Sequence, residues 1–156
     1  MTGGTHAAVI GIGNDYRHDD GVGLEVARMV RNAGPSGVRV IVGVHDDCAL
    51  LDAWKDSDAV YVVDCTRAGA PPGTIRRFDA LRETIPAKIF HCFSTHGLNI
   101  AKSFELSRVL RKLPQTLVVI GIEGADFSHG RGLTNEVRSA ATEVAGRIVR
   151  SCGPAS

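Results

Sequence analysis

Two unbroken apolar runs constrain this chain most: Ala59–Val63 (AVYVV) and Leu117–Ile122 (LVVIGI). A strand with one wet face alternates apolar and polar residues, whereas these runs offer solvent nothing on either face. Strands of this kind belong in the interior of a sheet covered on both sides. The cover is visible elsewhere. His6–Ile12 and Val38–Val44 read as further strands, while Gly21–Ala33 carries Val22, Leu24, Val26, Ala27, Met29 and Val30 at helical spacing before Gly34-Pro35. A short helix at Cys48–Lys55, N-capped by Asp46 or Asp47, and longer helices at Leu98–Leu113 and Thr134–Ser151 complete the alternation. In the last two, Phe104, Leu106, Val109 and Leu110, and Val137, Ala140, Ala141, Val144 and Ile148, are expected to face the sheet.

Alternating strands and helices predict a mostly parallel sheet with helices on both faces. Thr74–Phe78 follows the third strand through a loop too short for a helical crossover, so it is expected to run antiparallel. Residues 80–96 read as irregular and Gly124–Gly132 as a glycine-rich loop. The expected fold is α/β: one three-layer α/β/α sandwich over residues 1–156, with a five-stranded, mostly parallel mixed sheet whose fourth strand is antiparallel.

The 156 residues suffice to bury about 70% of the unfolded surface without a disulfide or metal staple. Eighteen Lys+Arg against 17 Asp+Glu give a net charge of +1, which speaks against a nucleic-acid partner. No run approaches the roughly 20 apolar residues of a membrane span, and MTGGTHAAVIGIGND lacks a signal peptide's basic flank. A cytoplasmic protein with no membrane partner is expected. Cys48, Cys65, Cys92 and Cys152 form no CxxC pair and are expected to be reduced and mostly buried.

Ligands of open α/β sheets collect beyond the carboxyl ends of the parallel strands. That rule gathers Asn14–Asp20, His45-Asp46-Asp47, Asp64-Cys65, Ser94-Thr95-His96 and Glu123 on one acidic rim. A dinucleotide turn starting at Gly11 is excluded, because the third glycine is replaced by Tyr16 and Asp19-Asp20 would repel a pyrophosphate. One aspartate of that pair is expected to cap the following helix, leaving the other for the crevice. Asp64 admits two readings, a loop cap or a site carboxylate; His96 likewise either satisfies local backbone or acts as a ligand. Together, two carboxylates and an imidazole would make a three-ligand metal site with open positions, suited alike to nickel, zinc, manganese or iron.

The blocks GIGN…DDGVG (residues 11–23), VYVVDCTRAGAPPGT with Asp64, FSTHGL with His96 and VVIGIEGADFSHGRGLTNEV occur in this order. This combination resembles the hydrogenase-maturation endopeptidases, which trim the C-terminal extension of [NiFe]-hydrogenase large-subunit precursors. The resemblance spans roughly residues 7–150. It implies the same five-stranded sandwich and a metal-dependent endopeptidase acting on a large-subunit precursor. It further implies that Asp20, Asp64 and His96 are the metal ligands and the catalytic centre, engaging nickel already inserted in the substrate. Asp19, Asp20 and His45 are the candidates for a general base. Two features depart from the family pattern: Gly43–Cys48 has no Gly-Gly-Thr loop, and Glu123-Gly124-Ala125-Asp126 stands where the family has Pro-Glu after strand five.

Three rival readings bear on the same residues. A peptidyl-tRNA-hydrolase-like enzyme would use the GxGN block and His18, but gives no reason for Asp64. A cysteine amidohydrolase would pair Cys92 with His96 or His91, yet no helix N-terminus immediately follows Cys92 to lower its pKa. A non-catalytic metal-binding module would draw on Cys65, Cys92 and His96, whose spacing matches no standard zinc pattern.

Overall fold

The first strand, β1 (Ala7–Gly11), is buried along its whole length, because strands flank it on both sides. One neighbour is β2 (Val38–Val42) and the other β3 (Ala59–Thr66), both parallel to it. The computed structural model describes residues 6–44, 46–90, 100–111 and 113–152. Among these, β5 (Thr116–Glu123) pairs parallel with β3, and β4 (Ile75–Asp79) pairs antiparallel with β5. The sheet order is β2-β1-β3-β5-β4. The five-stranded mixed sheet and its reversed fourth strand therefore stand as the loop lengths predict.

Helices α1 (Val22–Ala33) and α4 (Asn135–Cys152) cover one face; α2 (Asp47–Trp54) and α3 (Ile100–Val109) cover the other. The pleat of β3 sorts side chains between two cores. Val60 and Val62 join Leu50, Trp54 and Phe104, while Tyr61, Val63 and Cys65 join Val26, Val30, Val144 and Ile148. Each large apolar side chain so buried contributes about 1.5–3 kcal/mol. Trp54 keeps its polar handle satisfied by donating from Nε1 to Ser107 Oγ at 3.1 Å. Among the described residues, no helix is long and apolar enough to cross a membrane.

Two glycines set the distance between α1 and the sheet. A Cβ on Gly23 would overlap the carbonyl oxygens of Ile12 and Val63, and one on Gly11 would overlap that of Gly23. Without side chains there, the first turn of α1 lies directly on the carboxyl ends of β1 and β3.

Several boundaries and faces differ from the sequence reading. Strand β3 continues to Thr66 because Asp64, Cys65 and Thr66 pair with Gly121, Ile122 and Glu123 of β5. Asp64 is thus inside a strand rather than at its end. On α3, the buried side carries Ser103, Phe104 and Ser107, so Leu106 and Val109 project away from the sheet, as does Leu110 beyond the helix end. The apolar stripe of α4 faces the sheet as expected. Cys48 is exposed, not buried, while Cys65 and Cys152 are buried. Asp46 is the N-cap of α2, accepting the Ala49 N–H at 2.7 Å.

Candidate functional site

From β1 the chain crosses through α1 to β2 on one side, then returns to β3 on the other. The carboxyl ends of β1 and β3 therefore flank the topological switch point, where such sheets form their crevice. The last residue pair between these strands is Gly11 with Val63, and the Ile12 N–H donates to Val63 O at 2.9 Å. Asp64 is the first β3 residue past β1, and it is fully buried. Its Oδ1 accepts the N–H of Cys65 at 2.7 Å.

Asp20 arrives from the other side, on a 3-10 turn (His18–Gly21) that packs against β3. Its N–H donates to Arg17 O at 3.0 Å, and its carbonyl accepts the Asn14 N–H at 3.1 Å. That closed turn needs Gly13, where a Cβ would overlap the Asp20 carbonyl oxygen. Asp20 is 1% exposed.

Two other acidic residues of the expected rim have structural duties. Asp19 does not cap its own helix; α1 starts from Gly21 with no side-chain cap. Its carboxylate instead reaches the loop between β5 and α4. Oδ2 accepts the N–H groups of Ala125 and Asp126 at 2.8 and 2.9 Å, and Oδ1 accepts the Thr134 N–H at 2.8 Å. The Thr134 hydroxyl lies within 3.1 and 2.9 Å of the two oxygens. With both oxygens held and the residue fully buried, Asp19 is not placed to take a proton from water. Glu123, also buried, accepts the Thr66 hydroxyl at 2.9 Å and the N–H groups of Ala68 and Gly69, at 2.9 and 3.1 Å to Oε2. It fixes the loop that leaves β3.

The thiol of Cys65 reports on this concentration of carboxylates. Burial pushes its pKa up most, and Asp64, Asp20, Asp19 and Glu123 each push it further in the same direction. A thiol so placed stays protonated and is neither a nucleophile nor a ready thiolate ligand.

Of the three expected ligands, the structure brings Asp20 and Asp64 to one end of the sheet; His96 lies outside the described residues. His45, His91 and Cys92 lie outside them too. Among the described residues, no group of three His, Cys, Asp or Glu side chains is arranged to hold a metal ion. His18 is engaged elsewhere: its Nδ1 lies 3.1 Å from the Gly132 carbonyl oxygen, and its ring occupies the space a Gly130 side chain would need. The clamp roles of Asp19 and Glu123 escaped the sequence reading. Glu123 is the direct register partner of Thr66, a relationship visible only once β3 and β5 are aligned.

Comparison with known proteins gives the family and the fold. The chain matches the hydrogenase maturation protease family over residues 25–151, a span that contains Asp64 and His96 and begins after Asp20. It is 27% identical over 123 residues to the hydrogenase expression/formation protein HupD of Thiocapsa roseopersicina, covering 76% of this chain. The chain spans about half of that relative, 54% of its length. Among solved structures, the hydrogenase maturating endopeptidase HybD from E. coli superposes with a TM-score of 0.79 at 20% identity, covering 94% of this chain and 91% of that one. The [NiFe] hydrogenase maturation protease HybD from Thermococcus kodakarensis gives 0.75 at 20% identity, covering 95% and 99%. These two share the fold: a five-stranded sheet, mostly parallel, between two helical layers. By the extent of the family match, this chain belongs to the hydrogenase maturation protease family.

Proposed function

We propose that this protein is an endopeptidase that removes the C-terminal extension of a [NiFe]-hydrogenase large-subunit precursor after nickel insertion. Asp20, Asp64 and His96 are its metal-binding and catalytic residues. One observation carries the reading most: two buried carboxylates, Asp20 from the turn after β1 and Asp64 from β3, stand at the switch-point crevice around one thiol that senses both. Taking two carboxylates into a protein interior is costly unless a cation or donors compensate them. Oxygen donors supplemented by one imidazole suit a divalent transition metal, so the donor set fits nickel.

In this reading the nickel arrives with the substrate, and when bound it would supply a Lewis acid beside the peptide to be cut. Asp20 and Asp64 bind and orient; His96 completes the set from the segment preceding α3. Asp19 and Glu123 hold the loops that frame the crevice, and their oxygens are committed to that task. Hydrolysis adds water across the scissile amide, giving a new carboxyl terminus on the large subunit and an amino terminus on the released extension. Cys65 takes no part as a nucleophile, since its surroundings keep it a thiol.

The test mixes purified protein with large-subunit precursors, nickel-loaded and nickel-free, and reads intact masses. Loss of the extension from the loaded precursor alone is the expected result. Cleavage of both forms equally would refute nickel as the recognition element, and cleavage of neither would refute the peptidase assignment.

A further inference from the structure

The carboxylates of Asp19, Asp20, Asp64 and Glu123 lie inside the protein, and the surface beside them carries three arginines. Between the 3-10 turn that carries Asp20 and the loop before α4 lies an open cavity of about 180 Å³. Gly21, the residue after Asp20, forms part of its wall, so the cavity lies against the turn that carries Asp20. Its charged lining consists of Arg28, Arg131 and Arg138, with Asp15 and Glu25.

The two acids are already committed. Arg28 Nη1 donates to Asp15 Oδ1 at 3.0 Å and to Glu25 Oε2 at 3.3 Å, and its Nη2 donates to Asp15 Oδ2. Arg131 and Arg138 remain, both exposed, and among the described residues neither has an ion-pair partner. Arg131 is held with its guanidinium 5.2 Å above the Tyr16 ring, which orders the side chain without cancelling its charge. The lining thus carries a net charge of +1, with Asp15 and Glu25 both paired to Arg28, and Arg131 and Arg138 are the cations these acids do not engage. Guanidinium forks match carboxylates in a planar, bidentate way.

We propose that this cavity is a carboxylate-binding subsite, which takes an acidic side chain of the polypeptide substrate while the adjoining Asp20 region engages the metal. The inference rests on the peptidase reading for the identity of the substrate, but the binding of an acidic peptide does not. An acidic group docked here would set the direction in which the substrate chain crosses the rim. Opposite charge across this contact also steers encounter, so its contribution weakens with salt.

Two measurements test the subsite. In the first, amide resonances of Gly21 and Gly132 are followed while an N-acetylated, C-amidated penta-glutamate peptide is added to the protein. The same titration uses the penta-glutamine peptide and inorganic phosphate. Saturable shifts with the glutamate peptide, absent with glutamine and abolished in the R131Q/R138Q double variant, are expected. No shifts, equal shifts with glutamine, or shifts with phosphate alone would overturn the proposal. In the second, precursor cleavage by the double variant is expected to show a KM raised about tenfold with kcat nearly retained. An unchanged KM in a protein that does cleave the precursor would refute the substrate role. Failure of the wild-type protein to cleave any precursor would instead refute the peptidase reading, leaving the peptide titration to decide the subsite.

Discussion

Asp19 and Thr134 are separated by 115 positions in sequence, yet Asp19 Oδ1 accepts the Thr134 N–H at 2.8 Å. The same carboxylate accepts two further N–H groups, from Ala125 and Asp126. One buried side chain thereby stitches the turn after β1 to the start of α4 and fixes the backbone next to Asp20.

Removing that carboxylate should be expensive. Asp19→Ala leaves three N–H groups without their acceptor in a buried setting, at about 1–3 kcal/mol each with partial relaxation. A total loss of about 3 kcal/mol is expected, lowering Tm by roughly 10 °C. Thermal denaturation followed by circular dichroism measures it; a fall of only a degree or two would show that the clamp is dispensable.

Asp20 should behave differently from its neighbour. Asp20→Asn keeps the size of the side chain and is expected to leave Tm within a few degrees of the parent. If Asp20 is a direct ligand as proposed, precursor cleavage should fall by at least about 100-fold. Asp64→Asn should do the same. Normal processing by either variant, read from intact mass, would remove that residue from the site.

Glu123 governs the loop leaving β3. In Glu123→Gln one acceptor oxygen becomes an NH₂ that faces N–H donors, which should cost about 1–3 kcal/mol. Hydrogen exchange at Ala68 and Gly69, whose N–H groups Glu123 now accepts, should accelerate while β1 amides stay protected. Unchanged exchange at both would contradict the assigned role.

The thiols give a pH-dependent signature. Burial first, and the surrounding carboxylates after it, raise the Cys65 pKa above that of an unfolded chain, about 8.5. The stability this represents is present below that unfolded value. Above it the unfolded thiol ionises while the folded one cannot, so stability should decline as the solution becomes alkaline. At pH 8, iodoacetamide should label exposed Cys48 in the native protein and spare Cys65. Rapid modification of Cys65, mapped by peptide mass, would refute the buried-thiol assignment.

Local patterns announced most of the architecture. The two-faced strands are legible because burial on both faces removes polar residues from the sequence. The reversal of β4 is legible because Pro71-Pro72-Gly73 leaves no room for a crossover. The stripe Val137–Ile148 is legible because a long helix against a sheet repeats its apolar side. What stayed hidden depends on partners far away in the chain. Nothing near Asp19 reveals that its donors come from residues 125, 126 and 134. Leu106 and Val109 fit an apolar period equally well on either side of α3, and only the docking of Phe104, with Ser107 bonded to Trp54, decides which side is buried. Asp20 and Asp64 were singled out by strand order and family likeness together, and the fold brings both to the same crevice.

The bond from Asp19 to Thr134 also orders events in time. Synthesis delivers β1, the Asp19-Asp20 turn and β3 well before residues 125–134 emerge. A nascent chain that ends at β4 already contains both aspartates of the candidate site, but not the N–H groups that hold their turn in place. The turn that carries Asp20 is thereby left without its anchor until the second half of the sheet has been laid down.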